Sequence, residues 1–428
     1  MDKGAGTAKV YSARTLDEAV SIERMHDGFS LKFLLMCAAV KGYVFLGNLL
    51  ITALRWMLFP GRCRNPKSII VYTVGTLGDN ILMLPAVAAI RRRYLDARLT
   101  LVTNCDGCGT YSATQVWGTS EYVDRFVALA GHPVQRRGFR LKIDKTGLEG
   151  ASCDIFVNLS PFGNRGLIGA ALRELIFARS LKAKEAIGFW LNSYSRGGSL
   201  KRVQHYFVKN EARRPREVLK QLGITPLENI DLLPHDGRAM ENVETLLSER
   251  GIDHRAAPLI VLNPGSKLPA GRWPAERFGV LAAWLRDACG ASVVVNGTAS
   301  EKEICERVAE SSGGAAINLA GNLSLQELIE LLRFSTACVS NNTGTMTLAA
   351  MIGIPHVVLS STRFSPTFYM PLSNSMAWLF SFSANSYSYV DGEEISGDLL
   401  NIGVDDVKCA VARIMPRHVE ASFAANFP

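Results

Sequence analysis

With 428 residues, 48% of them hydrophobic and 20% charged, the chain is long enough for about two to three domains with substantial cores and too apolar to be disordered. Its formal net charge of +8 suits an anionic partner such as a phosphorylated glycan, a nucleotide diphosphate, an acidic membrane or a nucleic acid, although solvated helix faces account for most of Arg91-Arg92-Arg93, Arg136 to Lys145, and Arg213, Arg214 and Arg216. Nine cysteines follow no disulfide framework, and the one close pair, Cys105 and Cys108, has no second pair to complete a zinc site; a reducing, cytosolic setting is expected, and redox or metal chemistry is disfavoured.

Residues 1–27 are polar and aperiodic and read as a mobile tail. Residues 28–65 are different. From Phe29 to Phe59 the chain is apolar except for Ser30, Lys32, Lys41, Asn48, Thr52 and Arg55, and the uncharged run between Lys41 and Arg55 is shorter than the ~20 residues a spanning helix needs. On a helical wheel Lys41, Asn48, Thr52 and Arg55 share a sector about 60° wide, a polar stripe on a greasy helix. Trp56, Arg62, Arg64 and Lys67 follow, as suits a lipid headgroup layer. The expectation is a peripheral or monotopic helix on the cytoplasmic membrane face, with Lys41, Arg55, Trp56 and Arg62 as its contacts. A tilted anchor, an oligomer-forming helix and a core-packed helix stay open, and a cleavable signal peptide fits poorly.

From Ser68 onward strands and helices alternate. SIIVYTV (68–74) is a continuous apolar run, the mark of a strand buried on both faces of a parallel sheet. A glycine loop, a helix from about Asp79 to Tyr94 and the strand LTLVT (99–103) follow. CDIFVNL (153–159) and EAIGF (185–189) read as strands around a helix over 166–181, and a helical pattern over 213–222 stops at Gly223. Residues 224–257 hold the expected hinge, because LENIDLLPHDGRAM is loop-like. Beyond it LIVLN (259–263), a helix from Pro274 to Cys289, SVVVN (292–296), TACVS (336–340), TMTLAAMI (345–352) and PHVVLS (355–360) repeat the scheme, with capping boxes expected at Ser300/Glu303 and Ser324/Glu327. The fold class is therefore α/β: two Rossmann-like domains, 66–235 and 245–415, that hold ligands at strand C-termini, with a tail over 416–428.

Neither half carries a G-x-G-x-x-G fingerprint or a Walker loop, so dehydrogenase and nucleotide-hydrolase readings lose their main support. Gly75-Thr76-Leu77-Gly78-Asp79 stands where the first strand hands over to a helix, and its glycines let backbone amides approach a ligand. Asp79 there is also compatible with a purely capping role. Asn341-Asn342-Thr343-Gly344-Thr345-Met346 opens another helix, whose free amides suit a diphosphate. Pro264-Gly265-Ser266-Lys267 with Gly271-Arg272-Trp273-Pro274 forms a third loop, in which Trp273 and Phe278 read as packing residues. Gly297, after the strand 292–296, joins the binding set. The stretches Asn158 to Arg165 and His205 to Arg216 are basic without a motif.

Together the segments 71–93, 262–278, 318–332 and 338–357 resemble the lipopolysaccharide heptosyltransferase family, glycosyltransferase family nine, over about residues 66–415. The resemblance implies a GT-B fold and an inverting, metal-independent glycosyltransferase. It implies a nucleotide-diphosphate sugar as donor, an anionic lipopolysaccharide or related surface glycan as acceptor, and no cofactor. Nucleic acid is not an expected partner, and the oligomeric state is left open. By position Asp79 takes the role of general base, with Gly75, Thr76 and Gly78 as the acceptor or phosphate loop. Gly265, Ser266, Lys267, Arg272, Gly297, Asn342, Thr343, Gly344, Thr345 and Met346 form the donor site.

Several positions depart from that family's pattern. Thr73 stands where Arg or Lys is usual, Gly271 where Lys is common, Asn342 where Asp is usual, and Thr347 where His is found; Lys267 or Arg272 is left to supply the missing charge. Heptose is therefore not assumed as the donor sugar. These departures also keep a second reading in view, a catalytically degenerate membrane-attached binding or scaffold protein of the same fold. A nucleotide-sugar epimerase or hydrolase would need further cleft carboxylates or histidines.

Overall fold

In the computed structural model the described residues are 9–14, 18, 21–22, 31–104, 113–117, 120–137, 140–151, 153–160, 168–191, 213–227, 230–361, 376–381, 388–390, 393–395 and 397–415. They form two compact units that divide near residue 228. Strand β1 (Val10–Ala13) belongs to the second unit and helix α1 (Leu31–Leu58) to the first.

The first unit is built on β2 (Ser68–Tyr72), α2 (Leu77–Arg93), β3 (Arg98–Asn104), α3 (Ala113–Trp117), β4 (Arg125–Leu129), the antiparallel hairpin of β5 (Val134–Arg137) and β6 (Arg140–Ile143), β7 (Ile155–Asn158), α4 (Ile168–Ser180), β8 (Glu185–Ile187) and α5 (Arg214–Gln221). Its sheet runs β4-β3-β2-β7-β8, every pairing parallel. The central strand SIIVY is apolar after its first residue because both of its faces are covered. Tyr72, Phe156 and Phe177 meet in its core with ring centroids 5.6–6.0 Å apart. Of the basic run 91–93, Arg91 is a structural residue: it donates to the carbonyls of Tyr122 and Ala97 and pairs with Asp124, pinning the end of α2.

Helix α1 lies on this unit. Ile51 and Phe59 enter the core beside Ile70, Phe156 and Phe177. A Cβ added at Gly47 would stand 2.5 Å from Leu191 Cδ1, so the approach requires glycine. The polar stripe meets protein as well: Asn48 Oδ1 accepts from the Leu191 amide at 2.6 Å, Asn48 Nδ2 donates to the Leu191 carbonyl at 3.2 Å, and Arg55 donates to the Ala186 carbonyl at 3.3 Å. Arg55, expected as a membrane contact, thus points at the domain, as does Asn48. Lys41, Trp56 and Arg62 are exposed. No helix among the described residues is long and apolar enough to cross a membrane.

The second unit comprises β1, α6 (Gly237–Glu249), β9 (Leu259–Asn263), α7 (Ala275–Cys289), β10 (Ser292–Val295), α8 (Lys302–Ser311), β11 (Ala316–Asn318), α9 (Leu325–Phe334), β12 (Ala337–Asn341), α10 (Gly344–Ile352), β13 (His356–Leu359), β14 (Met376–Ser381), the hairpin of β15 (Ser388–Val390) and β16 (Glu393–Ile395), α11 (Gly397–Leu400) and α12 (Val404–Ile414). Its seven-stranded sheet runs β1-β14-β13-β12-β9-β10-β11, parallel except for β1.

Three expectations change here. Residues 10–13, inside the expected tail, add an antiparallel edge strand to β14, and Tyr11 stacks on Phe380. The loop-like hinge stretch ends at Asp236, whose side chain accepts from the amides of Arg238 and Ala239 and starts α6. Ahead of it, Arg333 of α9 holds Asp231, Leu233 and Pro234 at 2.8–3.2 Å. The capping box expected at Ser300/Glu303 forms instead at Thr298/Glu301, around a 3-10 turn that precedes α8, whereas that at Ser324/Glu327 forms as expected. Cys105, Cys108, His205, residues 161–165 and the tail 416–428 lie outside the described residues.

Candidate functional site

In the first unit the candidate residues share one turn. Gly75 has φ +135°, open to glycine, and a Cβ there would fall within 2.6 Å of Asp79 Cβ and Cγ. The turn therefore folds back on the aspartate. Thr76 is the N-cap of α2 and Asp79 its third residue, so the capping role weighed for Asp79 is real but belongs to the partner position. Asp79 Oδ2 accepts from the Thr76 amide at 2.7 Å and from its hydroxyl at 3.0 Å, while Oδ1 has no hydrogen bond among the described residues. Burial pushes the Asp79 carboxyl above its ordinary pKa, and the two Thr76 hydrogen bonds partly offset that.

Asn80, not foreseen from sequence, fixes this turn from beneath. Its amide donates to the carbonyls of Gly75 and Thr76, and its Oδ1 accepts from the buried Trp117 indole at 3.1 Å. Thr73 is fully buried, with a hydroxyl that has no partner among the described residues. Of the expected acceptor side, Asn158 is buried and donates to Glu174, and Arg214 lies over the Trp190 ring.

In the second unit the donor candidates converge at the carboxyl ends of the adjacent strands β9, β10 and β12, where open α/β sheets hold ligands. Each of these strands runs into an asparagine. Asn263 Oδ1 accepts from Thr345 at 2.9 Å and from Asn296 at 3.3 Å. Asn341 donates to the Pro264 carbonyl at 2.7 Å and accepts from the Trp273 amide at 3.1 Å, so it clamps both ends of the 264–273 loop. This buried amide set was not singled out from sequence; its only signal is the repeated ending of apolar run and Asn.

The candidates divide by exposure. Asn342, Thr343 and Gly344 reach the surface at the N-terminus of α10, whereas Thr345 and Met346 are buried and can only anchor the helix. Thr347 is buried too. A Cβ added at Gly265 would run into the Glu301 carboxylate, and one added at Gly297 would stand 2.7 Å from Cys305 Sγ, so both glycines serve close packing. Trp273 is fully buried, donates to the Ile402 carbonyl at 2.8 Å and meets Phe278 edge-on, the packing role read from sequence. Ser266 is buried, and its carbonyl accepts from Arg272 Nε at 3.0 Å; the Arg272 Nη groups make no hydrogen bond among the described residues. Lys267 is exposed.

Two buried side-chain polar atoms are left over in this region. Thr343 Oγ1, at the N-cap of α10, and Asn296 Oδ1 are buried without partners among the described residues. Buried polar atoms are normally paired, and a helix N-terminus adds free amides. The arrangement suits an anion with several acceptor oxygens and a group that donates hydrogen bonds.

A model of glycosyltransferase family 9 (heptosyltransferase) matches residues 177–392, half of the chain. The chain belongs to glycosyltransferase family 9. Among curated relatives, lipooligosaccharide heptosyltransferase 2 of Haemophilus influenzae is 31% identical over 158 residues, which cover 36% of this family 9 chain and 42% of that relative. The chain thus spans about two fifths of the length of that relative. A solved family 9 glycosyl transferase from Veillonella parvula superposes with a TM-score of 0.60 at 22% identity, covering 82% of this chain and 98% of that one. Escherichia coli heptosyltransferase WaaC with ADP-2-deoxy-2-fluoro heptose superposes with a TM-score of 0.51 at 16% identity, covering 81% and 99%. These likenesses give this member of family 9 the two Rossmann-like units of the GT-B fold.

Proposed function

We propose that this chain transfers a sugar from a nucleotide-diphosphate sugar to a lipopolysaccharide or related surface-glycan acceptor, with inversion and without a metal. The observation that carries the donor half is the unpartnered Thr343 hydroxyl at the amide-rich start of α10, beside the clamped 264–273 loop. In this reading the amides of Thr343 and Gly344 and the Thr343 hydroxyl hold the donor diphosphate. Lys267 and Arg272 neutralise charge as the nucleotide diphosphate leaves. An acceptor hydroxyl gives its proton to Asp79 Oδ1 while its oxygen attacks the anomeric carbon. The new glycosidic bond forms opposite the breaking bond to phosphate, which inverts the anomeric centre. An ADP-linked heptose is the first donor to try, because a solved relative of the same fold carries an ADP-heptose analogue. Asn342 and Thr347 stand where the family's carboxylate and imidazole are expected, so other sugars belong in the same panel.

Thermal stabilisation of the full chain by a panel of nucleotide diphosphates and nucleotide sugars tests this reading. One donor should stabilise the wild type and Asp79→Asn alike and lose its effect in a folded Thr343→Tyr variant. If no nucleotide shifts the melting of the folded wild type, the donor site is absent and the non-catalytic reading replaces this one.

A further inference from the structure

Helix α1 carries its polar and apolar groups in an arrangement unlike that of an ordinary surface helix. Gly47, Asn48, Ile51 and Arg55 face the first unit. The opposite side presents Phe45, Leu46, Leu49, Leu50, Trp56 and Met57, each 45–74% exposed. Leu35, 63% exposed, lies nearer the start of the helix, and from Phe45 to Met57 the apolar face runs for roughly 18 Å at ~1.5 Å per residue. Isolated exposed apolar residues are ordinary, but a continuous face of this length marks an interaction surface.

The charge around the face selects what covers it. Between residues 29 and 78 the chain has Lys32, Lys41, Arg55, Arg62, Arg64 and Lys67 and no carboxylate. Lys41, Arg62, Arg64 and Lys67 are exposed, the last three just beyond Trp56. Glu185 and Asp154 of the first unit accept from the Cys63 and Lys67 amides beside this cluster, but the exposed Lys41, Arg62, Arg64 and Lys67 outnumber them. Aromatic and aliphatic side chains flanked by such an excess of cations complement an anionic lipid surface: acyl chains take the face and headgroup phosphates the cations. Spanning is not an option for α1 as it is seated, because its other side is hydrogen-bonded to Leu191 and Ala186 and packed into the core. We propose that α1 docks the protein on an anionic bilayer, lying parallel to the surface, with the Phe45–Met57 face in the lipid and the first unit held above it by Asn48, Ile51 and Arg55. This docking does not depend on the donor reading above.

The test is cosedimentation of the full chain with vesicles of phosphatidylcholine, with and without phosphatidylglycerol, run beside light scattering of the lipid-free protein. The wild type should bind the anionic vesicles, and more weakly as salt rises. Phe45→Asp with Leu49→Asp, both at exposed positions and expected to leave the melting temperature unchanged, should cut binding by about tenfold or more. Arg62→Glu with Arg64→Glu should remove the preference for phosphatidylglycerol while weakening binding to neutral vesicles little. The proposal is overturned if the wild type stays in the supernatant with anionic vesicles, or if Phe45→Asp/Leu49→Asp binds them as the wild type does. It is equally overturned if the lipid-free wild type is a dimer that this double variant splits and that does not bind vesicles, because a second copy would then cover the face.

Discussion

Thr76 donates two hydrogen bonds to one oxygen of Asp79, from its amide at 2.7 Å and its hydroxyl at 3.0 Å. The carboxylate is thereby oriented by one oxygen, and the other is left to take a proton. Removing the negative charge while keeping the shape, in Asp79→Asn, should lower transfer by about a hundredfold or more, with donor binding retained, because positioned acid–base groups contribute about 10²–10⁴ in rate. Single-turnover transfer beside donor titrations measures the two separately.

The same pair predicts a pH profile. Burial raises the Asp79 carboxyl above its ordinary 3.8, and a base must be deprotonated, so activity should fall on the acid side with a midpoint above that value. The Thr76 hydrogen bonds favour the ionised form. Thr76→Val deletes the hydroxyl bond and should therefore move the acid limb to higher pH. A limb that stays in place in Thr76→Val would mean that another group titrates.

Asn341 is the clamp of the donor loop, joining the Pro264 carbonyl to the Trp273 amide through one buried side chain. Asn341→Ala leaves both groups buried without partners, at a cost of about 2–4 kcal/mol. Urea unfolding should show the loss as a lower midpoint, and nucleotide binding should weaken more than stability alone explains, because the 264–273 loop is freed.

Strands β2, β3, β7, β8, β9, β10, β12 and β13 were legible because their apolar runs are buried, and Gly223 and Gly353, both at positive φ, end helical patterns where the sequence suggests; β4, β5, β6, β11, β14, β15 and β16 and the helices α6 and α12 were not read from the sequence. The Asp79 turn and the α10 N-terminus were legible for a local reason: glycine and capping chemistry sit within a few residues of each other. The amide clamp was not, because Asn341, Pro264 and Trp273 meet only once β9 and β12 pair. Nor was the direction of α1. A wheel gives the width of the polar stripe but not which side meets protein, and that is decided by Leu191, 143 residues away from Asn48. Strand β1 carried no apolar run to announce it, since an edge strand half open to solvent tolerates VYSA.

His356 is fully buried on β13, with Nε2 3.0 Å from the Ser340 hydroxyl and Nδ1 without a partner among the described residues. Burial pushes its pKa down to about 3 from an ordinary 6.5. The unfolded chain therefore binds a proton that the folded one refuses. Stability from this group is full above pH 6.5 and is lost as pH falls from there toward 3, by about 2 kcal/mol at pH 5. Melting of the wild type and of His356→Gln across that window should converge toward acid, the variant being the flatter.

Asn48 and Leu191 make the last case, because they decide whether α1 stays on its domain. Asn48 both accepts from the Leu191 amide and donates to its carbonyl. Asn48→Ala strips both at a part-buried site and should destabilise the first unit by about 1–2 kcal/mol, below the cost at a fully buried one because water can enter. Asn48→Asp separates the two bonds. Its carboxylate still accepts from the amide but faces the Leu191 carbonyl oxygen with a second acceptor, so it should be no better than Asn48→Ala, despite its nearly identical shape. Hydrogen exchange of the Leu191 amide reads the difference directly: protection should fall in Asn48→Ala and partly persist in Asn48→Asp. Equal protection in wild type and Asn48→Ala would mean that α1 is held by Ile51 and Phe59 packing alone.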